Sequence, residues 1–285
     1  MIIFTTSISF VLIKIKIPVV NIPKITQENK DLPENPLQLY EVIRVIDGIP
    51  VFLEDHLSRL YNSANLSGVT TLPNQAYTEN KILNLITEKN QQIGNVRISF
   101  TITLTHKQPG IELNFIPHAY PAEDKYYSGV KVGLLSADRP NPQAKIQHLD
   151  IRNKANLLMS KEKVFEVLLI DHEGNITEGS RSNVFFVINN QLYTSLDEKV
   201  LQGITRKKIL QICSTNKIPI FKKNIPFSDI SQYEGAFLTG SSPKVLPISA
   251  IGALRFNPVM PVIRKIVSLY DKAIEEYLEE KRSAL

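Results

Sequence analysis

Leu39-Tyr40-Glu41-Val42-Ile43-Arg44-Val45, a turn at Asp47-Gly48, and Pro50-Val51-Phe52-Leu53 make up the stretch from which the fold is read. Asp-Gly between two apolar runs predicts a hairpin, because the turn that matches strand twist needs positive φ at both central positions. From about Glu54 the period changes: Leu57, Leu60 and Ala64 recur at helical spacing, with Gly68 as a stop. A second helix is expected across 75–88. The stretch 95–105 then alternates, with Val96, Ile98, Phe100 and Ile102 on one face and Arg97, Ser99, Thr101 and Thr103 on the other. Strand and helix periods mixed in this way give an α+β chain.

Working outward, further strands are expected at 111–116, 130–135, 166–170, 184–188 and 235–238. Helices are expected around 155–164 and across 205–215 and 261–281. Residues 118–128 lack a clear period and read as a crossing, which divides the chain into a small N-terminal domain, 1–126, and a larger C-terminal one, 127–285. Before the hairpin, 21–36 is proline-bearing and reads as a loop or linker. The uncharged run 1–13 is shorter than the roughly 17–25 residues of a spanning helix. No basic residue precedes Lys14, so a secretory signal is not expected, and Ile13-Lys14-Ile15-Lys16-Ile17 alternates like a strand. No membrane association is expected.

The chain has 285 residues, 43% hydrophobic and 21% charged, which is ordinary for a globular protein and excludes collagen-like, coiled-coil and disordered classes. Its single cysteine, Cys213, cannot form an intrachain disulfide and falls on an apolar helical run, so a cytoplasmic setting and a core position are expected. The net charge of +5 is scattered, without the basic stripe of a nucleic-acid binder. The five histidines are dispersed, which argues against a metal site. No G-x-S-x-G elbow, P-loop or G-x-G-x-x-G is present.

Three polar segments carry more information. Thr177-Glu178-Gly179-Ser180-Arg181-Ser182-Asn183 puts Glu178 at a strand end, as a functional carboxylate or an exposed turn residue. Leu201-Gln202-Gly203-Ile204-Thr205-Arg206 opens a helix whose free amides suit an anion, although Thr205 also reads as a plain N-cap. Asp55-His56-Leu57-Ser58-Arg59-Leu60 puts His56 and Arg59 on one helix face, away from buried Leu57 and Leu60. The Arg59 guanidinium there is either solvated or a clamp for phosphate or carboxylate.

Taken in order with Tyr40-Glu41-Val42-Ile43-Arg44-Val45 and Thr239-Gly240-Ser241-Ser242-Pro243, these segments resemble the class IV aminotransferases. Those are the fold-type IV pyridoxal phosphate enzymes, which include branched-chain aminotransferases, D-amino acid aminotransferases and aminodeoxychorismate lyases. The resemblance runs from about residue 38 to 250. It implies a two-domain α+β fold with a barrel-like sheet in the larger domain and pyridoxal 5'-phosphate held between the domains, usually in a homodimer.

The resemblance also assigns roles. Arg59 would hold the cofactor phosphate with the amides of Ile204 and Thr205 and with Ser241. Glu178 would keep the pyridine nitrogen protonated, Leu201 would pack on the ring, and Tyr40, Arg97 and Ser242 would line the substrate pocket. Arg97 otherwise reads as a barrel-surface residue. The Schiff-base lysine lies some thirty-odd residues before the glutamate in this family; Lys145 stands 33 before Glu178, whereas Lys154 and Lys161 are too near and read as helical. His148 replaces the Asn usual three residues after the lysine. The Arg-x-His loop of D-amino acid aminotransferases is absent, with His106-Lys107-Gln108-Pro109 nearby.

The function implied is amino transfer between a small amino acid, branched-chain-like or otherwise monocarboxylic, and a 2-oxo acid. The monocarboxylic preference rests on finding no second cationic pair in the sequence. The alternatives are a lyase releasing pyruvate from aminodeoxychorismate and a cofactor-free relative that keeps the fold.

Overall fold

The Asp47-Gly48 turn forms as its chemistry demands, with φ of 51° and 74°, and joins β1 (Leu37–Ile46) to the short β2 (Ile49–Pro50). A computed structural model of the chain describes residues 36–69, 71–102 and 109–283. The strand expected at 13–17, most of the loop 21–36, the end of the strand 95–105 and His106-Lys107-Gln108 lie outside the described residues. Beyond the hairpin, α1 (Leu53–Leu66) and α2 (Gln75–Lys89) precede β3 (Gly94–Ile102) and β4 (Gly110–Ile116). The first sheet has the order β2-β1-β3-β4, antiparallel throughout. Leu39, Ile43 and Val45 of β1 pack with Val96, Ile98 and Phe100 of β3 against Leu57, Leu60 and Ala64 of α1. The alternation in both strands makes this possible, since one register shift would turn these side chains out of the core.

After the short α3 (Lys125–Ser128), β5 (Val130–Ser136) leads to α4 (Leu149–Glu162), β6 (Glu166–Ile170), β7 (Ile176–Gly179), β8 (Asn183–Ile188) and β9 (Gln191–Thr194). Then come α5 (Ile204–Thr215), β10 (Ile220–Lys222), β11 (Gly235–Gly240), β12 (Lys244–Ile251), β13 (Leu254–Arg255) and α6 (Pro261–Ser283). These strands form the second sheet, in the order β10-β9-β8-β11-β12-β5-β6-β7, with β13 on β12. Both faces of this sheet are covered by buried apolar side chains. Val262, Ile263, Ile266, Tyr270, Ile274 and Leu278 form the buried stripe of α6 at the three-and-four spacing of an amphipathic helix. Phe185 and Phe237, paired across β8 and β11, stack 5.0 Å apart; burying each contributes about 1.5–3 kcal/mol. Cys213 is buried in the same core.

Two differences from the sequence reading bear on the site. Helix α4 begins six residues before the expected 155, at Leu149. Ala155 is its one fully buried residue, so it shows no apolar stripe, while Asp150 in its first turn suits the helix dipole. Strand β12 was not expected because Pro247 interrupts it. Its ladder with β5 starts at Ile248, past the residue that has no N–H to give. No helix among the described residues is long and apolar enough to cross a membrane.

Candidate active site

A cavity of about 610 Å³ lies between the sheets, and all ten residues singled out from the sequence line it: Tyr40, Arg59, Arg97, Lys145, Glu178, Leu201, Ile204, Thr205, Ser241 and Ser242. Lys145 sits in the loop between β5 and α4. Its carbonyl accepts from Tyr40 N at 3.2 Å, its amide donates to Ser63 Oγ at 3.1 Å, and the next residue, Ile146, bridges to Leu39. The loop is thereby fastened to β1 and α1, with Lys145 Nζ 4.8 Å from the centre of the Tyr40 ring. Desolvation lowers the Lys145 pKa, with Arg59 and Arg139 acting the same way and Tyr40 and Glu41 opposing. Lys154 and Lys161 are on α4, exposed and outside the cavity lining.

Glu178 lies near the end of β7 and is 2% exposed. Its Oε2 accepts from Leu201 N at 3.1 Å and Asn183 Nδ2 at 3.3 Å. Its Oε1 lies 3.3 Å from Arg139 Nη1 but has no hydrogen-bond partner. Burial raises the pKa of Glu178 against the pull of Arg139 and the Leu201 amide. Asn183 also donates to Leu201 O at 2.9 Å, tying the β7–β8 turn to the approach to α5. A Cβ at Gly203 would meet Asn183 Oδ1, so a side chain there would shift the Asn183 amide from its hydrogen bonds to Glu178 and Leu201.

Gly203 is the N-cap of α5, which leaves the first-turn amides of Ile204 and Thr205 without helical acceptors. Thr205 is therefore inside the helix and does not act as its cap. Its Oγ1 instead lies 3.0 Å from Tyr270 Oη. Ser241 and Ser242 form the turn between β11 and β12. Ser242 Oγ accepts from Asn95 Nδ2 at 2.8 Å and its carbonyl from Arg44 Nη1 at 3.0 Å, so the first sheet holds this turn.

The α1 reading needs one correction. His56 is 2% exposed rather than facing away from the core, and its Nδ1 lies 2.8 Å from Glu41 Oε2. Arg59 engages Glu41 as a fork, Nε to Oε1 and Nη2 to Oε2, both at 2.7 Å, and gives Nη1 to Gln202 O at 3.1 Å. Three of its five N–H donors are used and two remain for a ligand. Glu41 is completely buried; desolvation would raise its pKa, but Arg59 and His56 together hold it well below the ordinary carboxylate range. Burial holds His56 below its usual value.

On the substrate side, Arg97 stacks 4.5 Å from the Tyr40 ring and donates to the side-chain oxygens of Gln38 and Gln147. Burial pushes the Tyr40 phenol up, but Lys145, Arg152 and Arg139 outweigh it and bring the pKa to about 8. Arg139, Arg152 and Arg181 also line the cavity, and sequence reasoning missed all three. Arg152 Nη2 donates to Tyr40 Oη at 3.3 Å. The premise that no second cationic pair exists is thus incorrect. His148 precedes α4 with its Nε2 unpartnered, and burial together with Arg139 pushes its pKa down to about 4. Among the described residues no cluster of three or more His, Cys, Asp or Glu could hold a metal ion.

The amino-transferase class IV family model matches residues 38–251, a span that contains all ten residues. The chain belongs to the class IV aminotransferases. Enzymes of this family use pyridoxal phosphate. The D-alanine aminotransferase of Bacillus licheniformis is 28% identical over 223 residues, which cover 75% of this chain and 78% of that one. A branched-chain aminotransferase from Thermoproteus uzoniensis, solved with norvaline, superposes with a TM-score of 0.75 at 23% identity over 85% of this chain and 88% of that one. A protein of Legionella pneumophila provisionally assigned as a 4-amino-4-deoxychorismate lyase also superposes at 0.75, with 21% identity over 82% of this chain and 90% of that one. The architecture of this class IV aminotransferase is therefore the α+β fold of fold-type IV enzymes, with two sheets flanking one cavity.

Proposed function

We propose that this protein is a pyridoxal phosphate-dependent transaminase that moves an amino group between an amino acid and a 2-oxo acid, with Lys145 as its catalytic lysine. One observation carries the proposal: Lys145 and Glu178 face the same cavity, and Glu178 keeps one buried carboxylate oxygen without a hydrogen-bond partner. Such an orphaned acceptor carries a desolvation penalty that a protonated ring nitrogen would relieve. The remaining residues suit the same cofactor. Two free N–H groups of Arg59 and the open amides of Ile204 and Thr205 would hold the phosphate, and Leu201 would flank the ring. A cavity of about 610 Å³ is large enough for the cofactor and a small substrate together.

When bound, pyridoxal phosphate supplies an aldehyde for attachment and a ring that accepts the electron pair left at the substrate Cα. The protein supplies the proton chemistry. The lowered pKa of Lys145 makes its neutral amine accessible, and that amine takes the Cα proton and returns it. Glu178 keeps a proton at the pyridine nitrogen. The homodimer expected from the resemblance is part of this proposal.

The test is borohydride reduction of the protein with pyridoxal phosphate, followed by mass mapping, and then an assay with amino acids in the presence and absence of a 2-oxo acid. Cofactor fixed at Lys145, and turnover that requires the acceptor, support the proposal. Fixation at another lysine overturns the assignment. Pyruvate release from aminodeoxychorismate without an acceptor, and no amino transfer, would establish the lyase, which the additional arginines also suit.

A further inference from the structure

Arg206 closes the motif that opens α5, and the proposed function gives it no task. It is completely buried and does not line the cavity. Burying a guanidinium is costly unless its donors are met, so its contacts carry information. Arg206 reaches back over the start of its helix. Its Nη1 donates to Gln202 Oε1 at 3.0 Å and lies 2.8 Å from Asp197 Oδ1, and its Nη2 donates to Ser195 O at 2.9 Å.

All three partners belong to residues 195–202, the irregular connection between β9 and α5, which contains one short 3₁₀ turn at Asp197–Lys199. Gln202 Nε2 donates to Asp197 O at 2.8 Å, so the Gln202 side chain ties the end of this connection to its middle. At the other end, Ser195 Oγ donates to Ile176 O of β7 at 2.7 Å. Leu201 is anchored independently, its amide to Glu178 and its carbonyl to Asn183. Gln202 is held differently: its side chain rests on Arg206 and Asp197, and its carbonyl accepts from Arg59 Nη1 at 3.1 Å.

Arg59 is thus gripped from two sides. Glu41 of β1 takes Nε and Nη2, and the Gln202 carbonyl takes Nη1, which together set where the two remaining N–H groups point. A main-chain carbonyl outside a ladder or helix is placed by the contacts of its own segment. Resting on the proposed function, we propose that Arg206 is a positioning residue for the cofactor phosphate: through Gln202 it sets the carbonyl that orients Arg59. It is the counterpart, on the second sheet's side of the cavity, of Glu41 on the first. A planar fork suits this task because it reaches Ser195, Asp197 and Gln202 at once, which a single ammonium does not.

The test is a double-mutant cycle on the affinity of the folded protein for pyridoxal phosphate, measured by equilibrium titration of Arg206→Lys, Arg59→Ala and the pair. Arg206→Lys should weaken binding roughly 3- to 10-fold, the scale of one hydrogen bond. With Arg59→Ala already present, the same substitution should cost less than about twofold, because the group it orients is gone. Gln202→Met leaves Arg206 in place and should reproduce both results; it carries the cycle if Arg206→Lys fails to fold. Losses that simply add overturn the proposal. So does wild-type affinity in Arg206→Lys accompanied by lower resistance to urea, the outcome of a merely structural role. A wild type that binds no pyridoxal phosphate overturns this proposal together with the proposed function. Fixation of cofactor at a lysine other than Lys145 fails the proposed function alone, since the cycle remains readable.

Discussion

Glu41 and Glu178 are both buried at the cavity of this enzyme, and their surroundings are opposite. Glu41 has both oxygens engaged by the Arg59 fork, with His56 added, and its pKa is driven down. Glu178 has one oxygen held by Leu201 N and Asn183 and the other left without a hydrogen bond, and burial drives its pKa up. The first carboxylate is satisfied by the fold, so its task is internal: it fixes the Arg59 guanidinium at the cavity wall. The second keeps one oxygen without a hydrogen bond beside Arg139, the opening that the proposed contact with the cofactor ring would fill. A buried charge therefore indicates its role through what remains unpaired around it.

The comparison breaks most visibly at Glu41. Glu41→Gln should destabilise the protein by about 3–5 kcal/mol, because it leaves Arg59 buried without its counter-charge. Urea unfolding measures this. Next in size, Glu178→Gln should retain cofactor while turnover falls about 10²–10³-fold, the usual scale for one preorganised electrostatic group. Single-turnover kinetics should place the defect in Cα deprotonation. Arg59→Ala should weaken cofactor binding by roughly 1.5–3 kcal/mol; a dissociation constant unchanged from wild type would remove Arg59 from the phosphate site.

The smallest effect is in pH dependence, and the two carboxylates have opposite signs. Glu41 is held low in the folded state, so its stabilisation is present above the unfolded pKa and is lost as pH falls through the folded one. Glu178 is held high, so the cofactor-free protein loses stability as pH rises from the ordinary carboxylate range through the raised value. Each contributes at most about 1.4 kcal/mol per pH unit. Glu41→Gln should flatten the acid limb of the stability curve and Glu178→Gln the limb above it.

Much of this was readable from residues alone, for identifiable reasons. The hairpin was legible because Asp47-Gly48 has one economical conformation, and the buried face of α1 because Leu57, Leu60 and Ala64 share a stripe. Glu41 carried a signal that could have been read: it shares strand parity with Leu39, Ile43 and Val45, all buried, so a partner cation had to reach it. His56 and Arg59 are those partners. The three additional arginines could not be read the same way. Arg139 comes from a loop, Arg152 from α4 and Arg181 from the β7–β8 turn, and only the tertiary structure brings them to one wall. Arg152 was further hidden because α4 lacks an apolar stripe and begins before its expected start.

The measurement that tests the division between the two carboxylates most directly is urea unfolding of wild type, Glu41→Gln and Glu178→Gln, each with and without saturating pyridoxal phosphate. Ligand binding to the folded state adds stability in proportion to the logarithm of its affinity. Without cofactor at neutral pH, Glu41→Gln should be the unstable variant and Glu178→Gln at least as stable as wild type. With cofactor, Glu178→Gln should gain less stability than wild type does. If Glu178→Gln destabilises the cofactor-free protein as much as Glu41→Gln, or gains the full wild-type increment from pyridoxal phosphate, Glu178 is a structural residue and the assignment is wrong.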